Sequence, residues 1–163
     1  MSTDKNLKEA IAGESQANRK YAAFALKAEE EGYPAVAKMF RAASEAEAIH
    51  ALAEMKALGI VKTTAENLKG AIEGETFEFT HMYPGFIEEA DKECHNQAKR
   101  AFNHANEAEK VHAALYQKLL DSIESKPEVE YYLCTVCGNV VENAPLDKCP
   151  ICGAPAKAFK NVG

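Results

Sequence analysis

Two short stretches of this sequence carry the same potential ligands. EAEAIH at residues 45–50 recurs as EAEKVH at residues 107–112, and each copy has a distant upstream glutamate, Glu14 in GES and Glu75 in GET. Glu14 maps onto Glu75 with an offset of 61, whereas Phe40, Glu47 and His50 map onto Phe102, Glu109 and His112 with an offset of 62. A helix pair has been duplicated, with one residue gained or lost between the copies. In Glu-x-x-His the carboxylate and the imidazole lie three residues apart, on one helix face. A glutamate from each of two helices, with Glu-x-x-His from each of the other two, is the inward pattern of di-metal carboxylate four-helix bundles. One such motif on a glutamate-rich helix is ordinary solvated surface; two in register, each with its upstream glutamate, are not. Mixed carboxylate and imidazole ligands suit iron or manganese, with zinc and copper open by affinity.

The second copy adds Glu78, three residues after Glu75, where the first copy has Ala17. A seventh ligand makes the two metals inequivalent, and one of them can choose between Glu78 and His50. A ferric ion favours the carboxylate and a ferrous ion accepts imidazole, which would make a redox-linked ligand switch. The plainer role for Glu78 is a hydrogen bond to a ligand. Tyr21 and Tyr83 stand on the same faces, where their hydroxyls can reach ligating carboxylates. His81, His95 and His104 lack a partner at ligand spacing and read as surface histidines, and Glu54 reads as a bundle-end charge.

A second constellation closes the chain. CTVCG at 134–138 and CPICG at 149–153 place Cys134, Cys137, Cys149 and Cys152 as two knuckles. The glycine after each pair lets backbone N–H groups turn toward sulfur. Four thiolates so spaced make a tetrahedral metal site. Zinc there would be structural and iron would carry one electron; a redox-active neighbour in the same chain favours iron. The small cysteine domain, with only about 35 residues, needs its metal to fold. Cys94 stands alone and reads as an inert thiol near a helix end.

The elements that must hold these residues follow from periodicity. Residues 5–125 are rich in Ala, Glu, Lys and Leu, whereas residues 127–163 hold four of the six prolines. The spacing predicts helices over about 4–31, 34–58, 71–93 and 97–124, with stops at Gly32 and Gly59 and a start at Pro34. Between the second and third, Thr63 and Glu66 form a capping box that opens a short turn of helix. Pro84 and Gly85 should bend the third helix one to two turns beyond Glu78. The inward stripe includes Glu14, Asn18 and Tyr21 on the first helix, Val36, Phe40, Ala43, Glu47 and His50 on the second, and Phe102, Glu109 and His112 on the last. Carboxylates on a stripe that should be apolar cost several kcal/mol each (about 3–5 when left unpaired), and cations remove that cost.

The fold class is therefore mainly α, a ferritin-like four-helix bundle over residues 1–126 followed by a small β-rich metal domain over 127–163. The 163 residues can bury a core for both. A net charge of −6 and the lack of a basic run argue against a nucleic-acid partner. No apolar stretch reaches membrane-spanning length and no signal-peptide core precedes residue 10, so a cytoplasmic location is expected.

GESQANRKYAAFALKAEEEGYPAVAKMF, EAEAIH, EGETFEFTHMYP, EAEKVH, CTVCG and CPICGAP together resemble the rubrerythrin family over nearly the whole chain. That resemblance implies a non-haem di-iron peroxidase that reduces hydrogen peroxide to water and protects against oxidative stress. It implies that Glu47 and Glu109 bridge two irons, that Glu14, Glu75 and His112 are terminal ligands, and that Glu78 and His50 alternate on one iron. It further implies a rubredoxin-like Fe(Cys)4 site passing electrons to the di-iron site, across a head-to-tail homodimer. Upstream electrons would come from rubredoxin or an NAD(P)H-dependent reductase. Two rivals remain: an iron-handling ferroxidase that uses oxygen, and a non-catalytic scaffold with a zinc ribbon.

Overall fold

A computed structural model describes residues 2–163. The chain divides into two compact units, residues 1–62 and 63–163.

The first unit is a helical hairpin. α1 (Thr3–Glu30) opens at Ser2, whose Oγ accepts from the Lys5 N–H at 3.3 Å. It stops at Gly32, where φ is +81°, and Pro34 begins α2 (Pro34–Leu58). The seam between them is built from small residues: Ala25 and Ala28 on α1, and Ala37, Ser44 and Ala51 on α2, all buried. The heptad spacing of the last three keeps one face of α2 against its neighbour. A polar clasp crosses the seam, with Asn18 Nδ2 donating to the Ser44 carbonyl at 2.6 Å and Ser44 Oγ donating to the Asn18 carbonyl at 2.9 Å.

This seam lies one residue away from the stripe expected on α2. Val36 is exposed and Ala43 only half-buried, whereas Ala37 and Ser44 are buried. A bundle helix has two inward faces, one for its hairpin partner and one for the bundle axis, and the ligand stripe belongs to the second.

The second unit begins with α3 (Thr64–Phe77), entered through the expected reciprocal capping box between Thr63 and Glu66. The box opens the long third helix itself rather than a separate short turn, and α3 passes through Gly70 and Gly74 to the site. A π-helical turn (Glu78–Met82) follows, then α4 (Tyr83–Lys92). The expected bend beyond Glu78 is thus a π turn that starts at Glu78. Pro84 lacks an N–H for the regular ladder, and the Tyr83 N–H bonds to the Glu78 carbonyl five residues back.

The π turn also accounts for the odd residue in the duplication. Glu14 and Tyr21 are seven residues apart, but Glu75 and Tyr83 are eight apart. On a regular α-helix the extra residue would rotate one away from the other by about 100°. The turn absorbs it, and the aromatic trio Tyr21, Phe24 and Phe40 recurs at an offset of 62 as Tyr83, Phe86 and Phe102. The Phe24–Phe40 centroids lie 5.5 Å apart and the Phe86–Phe102 centroids 5.6 Å apart.

α5 (Asn96–Asp121) is capped by His95, whose ring nitrogen accepts from the Ala98 N–H at 3.3 Å, a structural duty its spacing did not announce. Cys94, exposed at φ +58°, makes the turn before it. After Lys126, at φ +47°, the chain enters a three-stranded antiparallel sheet of β1 (Tyr131–Cys134), β2 (Val140–Glu142) and β3 (Phe159–Asn161), in the order β2-β1-β3. No described helix is long and apolar enough to cross a membrane.

Candidate metal centres

Among the described residues three ligand clusters form, one in each hairpin and one in the cysteine domain. In the first hairpin, ligand atoms of Glu14, Glu47 and His50 all lie within 4.8 Å of one another. His50 Nδ1 is 2.9 Å from Glu47 Oε2. The His50 side chain remains 57 % exposed, so this face is open within its own unit. In the second unit Glu75, Glu109 and His112 repeat the arrangement within the same 4.8 Å, with His112 Nδ1 at 2.7 Å from Glu109 Oε2 and 3.8 Å from Glu75 Oε1.

The like charges register in both clusters. A hydrogen bond to Glu47, then burial, pushes the Glu14 carboxyl above its ordinary value. Burial, followed by the hydrogen bond and negative charge of Glu109, pushes Glu75 up to about 7. Burial and the Glu109 charge also raise Glu78, which adjoins the second cluster at the start of the π turn without entering its tightest group. Tyr83 is raised by burial and then by the charges of Glu109, Glu78 and Glu75, and its ring packs on Phe86 and Phe102. Tyr21 packs with Phe24 and Phe40. Glu54 departs from the bundle-end charge expected of it: its Oε2 is buried without a hydrogen-bond partner, and its charge helps to raise Glu14.

His112 tests whether a cation fits. Its Nε2 lies 2.9 Å from the Gly138 carbonyl, which can only accept, so Nε2 carries the proton. Nδ1 then turns a lone pair on the Glu109 carboxylate at 2.7 Å. Two acceptors at that distance need a proton or a metal between them, and the fixed tautomer is the one a metal-binding histidine uses.

A sign follows for the metal-free protein. Glu75 titrates near 7 when folded, above its ordinary 4.5, so the folded state keeps a proton that the unfolded chain releases. That stability is complete below 4.5 and is lost as pH rises through 7. The apo protein should unfold at lower urea at pH 8 than at pH 6, and metal uptake at pH 6 should release about one more proton than at pH 8. Urea titrations and pH-stat metal titrations check this.

In the cysteine domain the Cys134–Cys152 and Cys137–Cys149 sulfurs lie 3.7 and 3.6 Å apart, and all four thiols are free. Each knuckle closes with a glycine at positive φ, Gly138 at +81° and Gly153 at +76°, whose N–H returns to the first cysteine's carbonyl at 2.9 Å. Burial opposes ionisation of Cys149, but the backbone N–H groups of Cys152 and Ile151 bring it down to about 7. It ionises more readily than Cys137, which burial pushes far up, and than Cys152, which burial also raises. Cys134 and Cys149 are buried. Cys137 and Cys152 line an open cleft with Gln97, Arg100 and His104 of α5. His104, expected at the surface, is half-buried there.

The structure ties this domain to α5. Besides the His112–Gly138 hydrogen bond, Lys118 Nζ pairs with Glu142 Oε2 at 2.5 Å. An apolar cleft lined by Leu115, Leu119, Leu133 and Val140 reaches His112. Gly138 directly follows Cys137, so one hydrogen bond links a cysteine knuckle to a bundle ligand. Sequence spacing carries no signal for this contact.

Comparison with known proteins agrees with both sites. The rubrerythrin family model matches residues 5–120, and the model of the rubredoxin-like domain of rubrerythrin matches residues 132–160. Nigerythrin of Nitratidesulfovibrio vulgaris is 38 % identical over 173 residues, covering 97 % of this chain and 85 % of that protein. Rubrerythrin-2 of Clostridium acetobutylicum is 34 % identical, covering 94 % and 93 %. A solved structure of nigerythrin in its fully reduced, all-ferrous state superposes with a TM-score of 0.61 at 35 % identity, covering 99 % of this chain and 87 % of that one. A mixed-valence nigerythrin structure gives 0.60 at 36 % identity, with the same coverage.

Proposed function

The chain belongs to the rubrerythrin family, and on that premise we propose that it is a peroxidase, reducing hydrogen peroxide to water at a di-iron centre fed by its own Fe(Cys)4 site. The bundle carries the glutamates and histidines of a di-iron site, and residues 127–163 carry the four cysteines of a rubredoxin-like one. The division into domains at about residue 126 follows from those two roles. The balance is H2O2 + 2 e− + 2 H+ → 2 H2O, and a reduced di-iron pair held by these residues would supply the two electrons.

Each residue then has a task. Glu47 and Glu109 would hold both irons between them, Glu14, Glu75 and His112 would each hold one, and Glu78 and His50 would be the alternative ligands of one iron, the carboxylate favoured by the ferric charge and the imidazole by the ferrous. The π turn gives Glu78 a backbone able to adjust. Tyr83 can donate a hydrogen bond to the carboxylates around it, and Tyr21 holds the equivalent place in the first copy. The observation that carries the reading is the His112–Gly138 hydrogen bond at 2.9 Å. It gives single electrons a short route from Cys137 through Gly138 to a bundle ligand. This route lies within one chain, so the step expected to cross a head-to-tail homodimer needs no partner there. An outside donor, rubredoxin or an NAD(P)H-dependent reductase, would reach the cleft beside Cys137 and Cys152. A reducing cytoplasm suits four free thiols held for a metal.

Anaerobic stopped-flow tests the proposal. Fully reduced protein mixed with peroxide should develop the visible band of the ferric cysteine site fast, and mixed with oxygen slowly. Faster reaction with oxygen would favour a ferroxidase. Absence of the band, with zinc at the cysteines, would favour a structural ribbon.

A further inference from the structure

Very little chain joins α2 to α3, and both of its ends are closed. Gly59 ends α2 at φ +72°, with its N–H bonded to the Lys56 carbonyl at 3.1 Å and the Ile60 N–H bonded to the Met55 carbonyl at 3.2 Å. Thr63 opens α3 with its capping box. From Gly59 to Thr63 the Cα trace can reach at most about 15 Å.

A ferritin-like di-metal bundle needs more. Its ligands pair a glutamate helix and a Glu-x-x-His helix in each hairpin, and the hairpin turns sit at opposite ends, which is why the fold has one long crossover connection. The ligands locate the metal level on each helix. From Glu47 down to Gly59 is about 18 Å of α-helix, and from Thr63 to Glu75 is another 18 Å or so. With the turns at opposite ends, those two termini stand roughly 36 Å apart. The connection is too short by more than half. Unwinding helix to close the gap would take about six more extended residues and both caps.

Building on the di-iron reading, we infer that each centre is assembled from two copies of this chain. Glu14, Glu47 and His50 come from one copy, and Glu75, Glu78, Glu109 and His112 come from the other. Each hairpin by itself brings only half of the ligand set within 4.8 Å. The open ligand face of the first hairpin, with exposed Phe24 and Val36 beside it, is the surface the second copy covers. His112 keeps its own Gly138 beside it, so every centre retains a cysteine site from the copy that supplies His112.

Complementation between two differently tagged chains tests this. One chain carries Glu14→Ala, Glu47→Ala and His50→Ala; the other carries Glu75→Ala, Glu109→Ala and His112→Ala. Each alone should show the Fe(Cys)4 band and no coupled di-iron signal in Mössbauer spectra. Co-expressed and purified through both tags, the mixed dimer should regain one complete centre, with about four irons per two chains. Within-chain assembly would leave every centre half-built, with about two irons and no coupled signal. That result, beside a wild-type control that shows the signal, overturns the inference while leaving the di-iron reading intact. Wild-type protein without the signal overturns both. Inserting about a dozen flexible residues between Val61 and Lys62 should convert the dimer into a monomer that still holds the coupled pair. A wild-type chain that is monomeric by light scattering and holds the pair also overturns it. These readouts count iron and mass, so loss of peroxidase activity does not decide them.

Discussion

Cys149→Ser should abolish the Fe(Cys)4 band and, if the chain is the peroxidase proposed above, lower steady-state peroxide reduction by about 100-fold or more, equivalent to ~2.7 kcal/mol on the overall barrier. Cys149 is 1 % exposed and is served by three donors: the Cys152 and Ile151 N–H groups and the Asn139 amide at 3.8 Å. They are placed for a thiolate. A serine hydroxyl at this position is a harder, weakly acidic oxygen in a soft-ligand site and leaves those donors facing a neutral atom. The sheet of four-, three- and three-residue strands offers little apolar area to hold it otherwise. Residues 131–161 should therefore become protease-sensitive, while the bundle keeps its irons. Metal analysis, limited proteolysis and turnover with an external donor measure the three parts. A variant that kept its band and its turnover would remove the cysteine site from the electron route.

Glu109→Ala should cost the bundle at least one of its two irons and weaken the remaining one by about 100-fold, at or beyond the upper range seen when only a ligand's supporting contact is lost. Glu109 touches His112 at 2.7 Å and is the main charged neighbour raising Glu75. Without it, His112 loses its facing carboxylate and Glu75 its hydrogen-bonding neighbour. The metal-free variant should behave in the opposite sense. With the repulsion gone, the Glu75 carboxyl moves back toward its ordinary value, and the apo variant should resist urea at pH 8 better than apo wild type. Gain of apo stability with loss of iron marks a residue kept for its metal. If apo stability at pH 8 fell as well, Glu109 would be holding the hairpin rather than straining it. Iron titration monitored at the coupled-pair absorbance, with urea melts of the apo proteins, measures both.

The helices and their ligands were legible because both are local. Periodicity placed α1, α2 and α5 within a few residues, through the glycine and proline stops at Gly32, Pro34 and Gly59. The two Glu-x-x-His motifs and the two cysteine knuckles each turn on spacings of three residues, which a helix or a tight turn converts directly into proximity. The inward stripe read on α2 is the ligand face, and the hairpin seam of Ala37, Ser44 and Ala51 lies one residue away from it because apolar counting favours Val36 over Ala37. Close helix approach selects the smaller side chain, and only packing shows which of two inward faces meets the hairpin partner. Glu54 looked like a surface charge because its burial depends on α1, which sequence spacing on α2 does not see.

The duplication and the donor types that gather in each cluster are thus determined by the sequence itself, since each rests on residue type at fixed short spacing. The tertiary structure decided the rest. The π turn at Glu78–Met82 forms because Pro84 breaks the regular ladder and because an extra residue must be absorbed to keep Glu75 and Tyr83 on one face. The His112–Gly138 bond joins residues 26 apart in sequence. It exists only where the sheet docks on α5, through a backbone carbonyl that no pattern of side chains can announce.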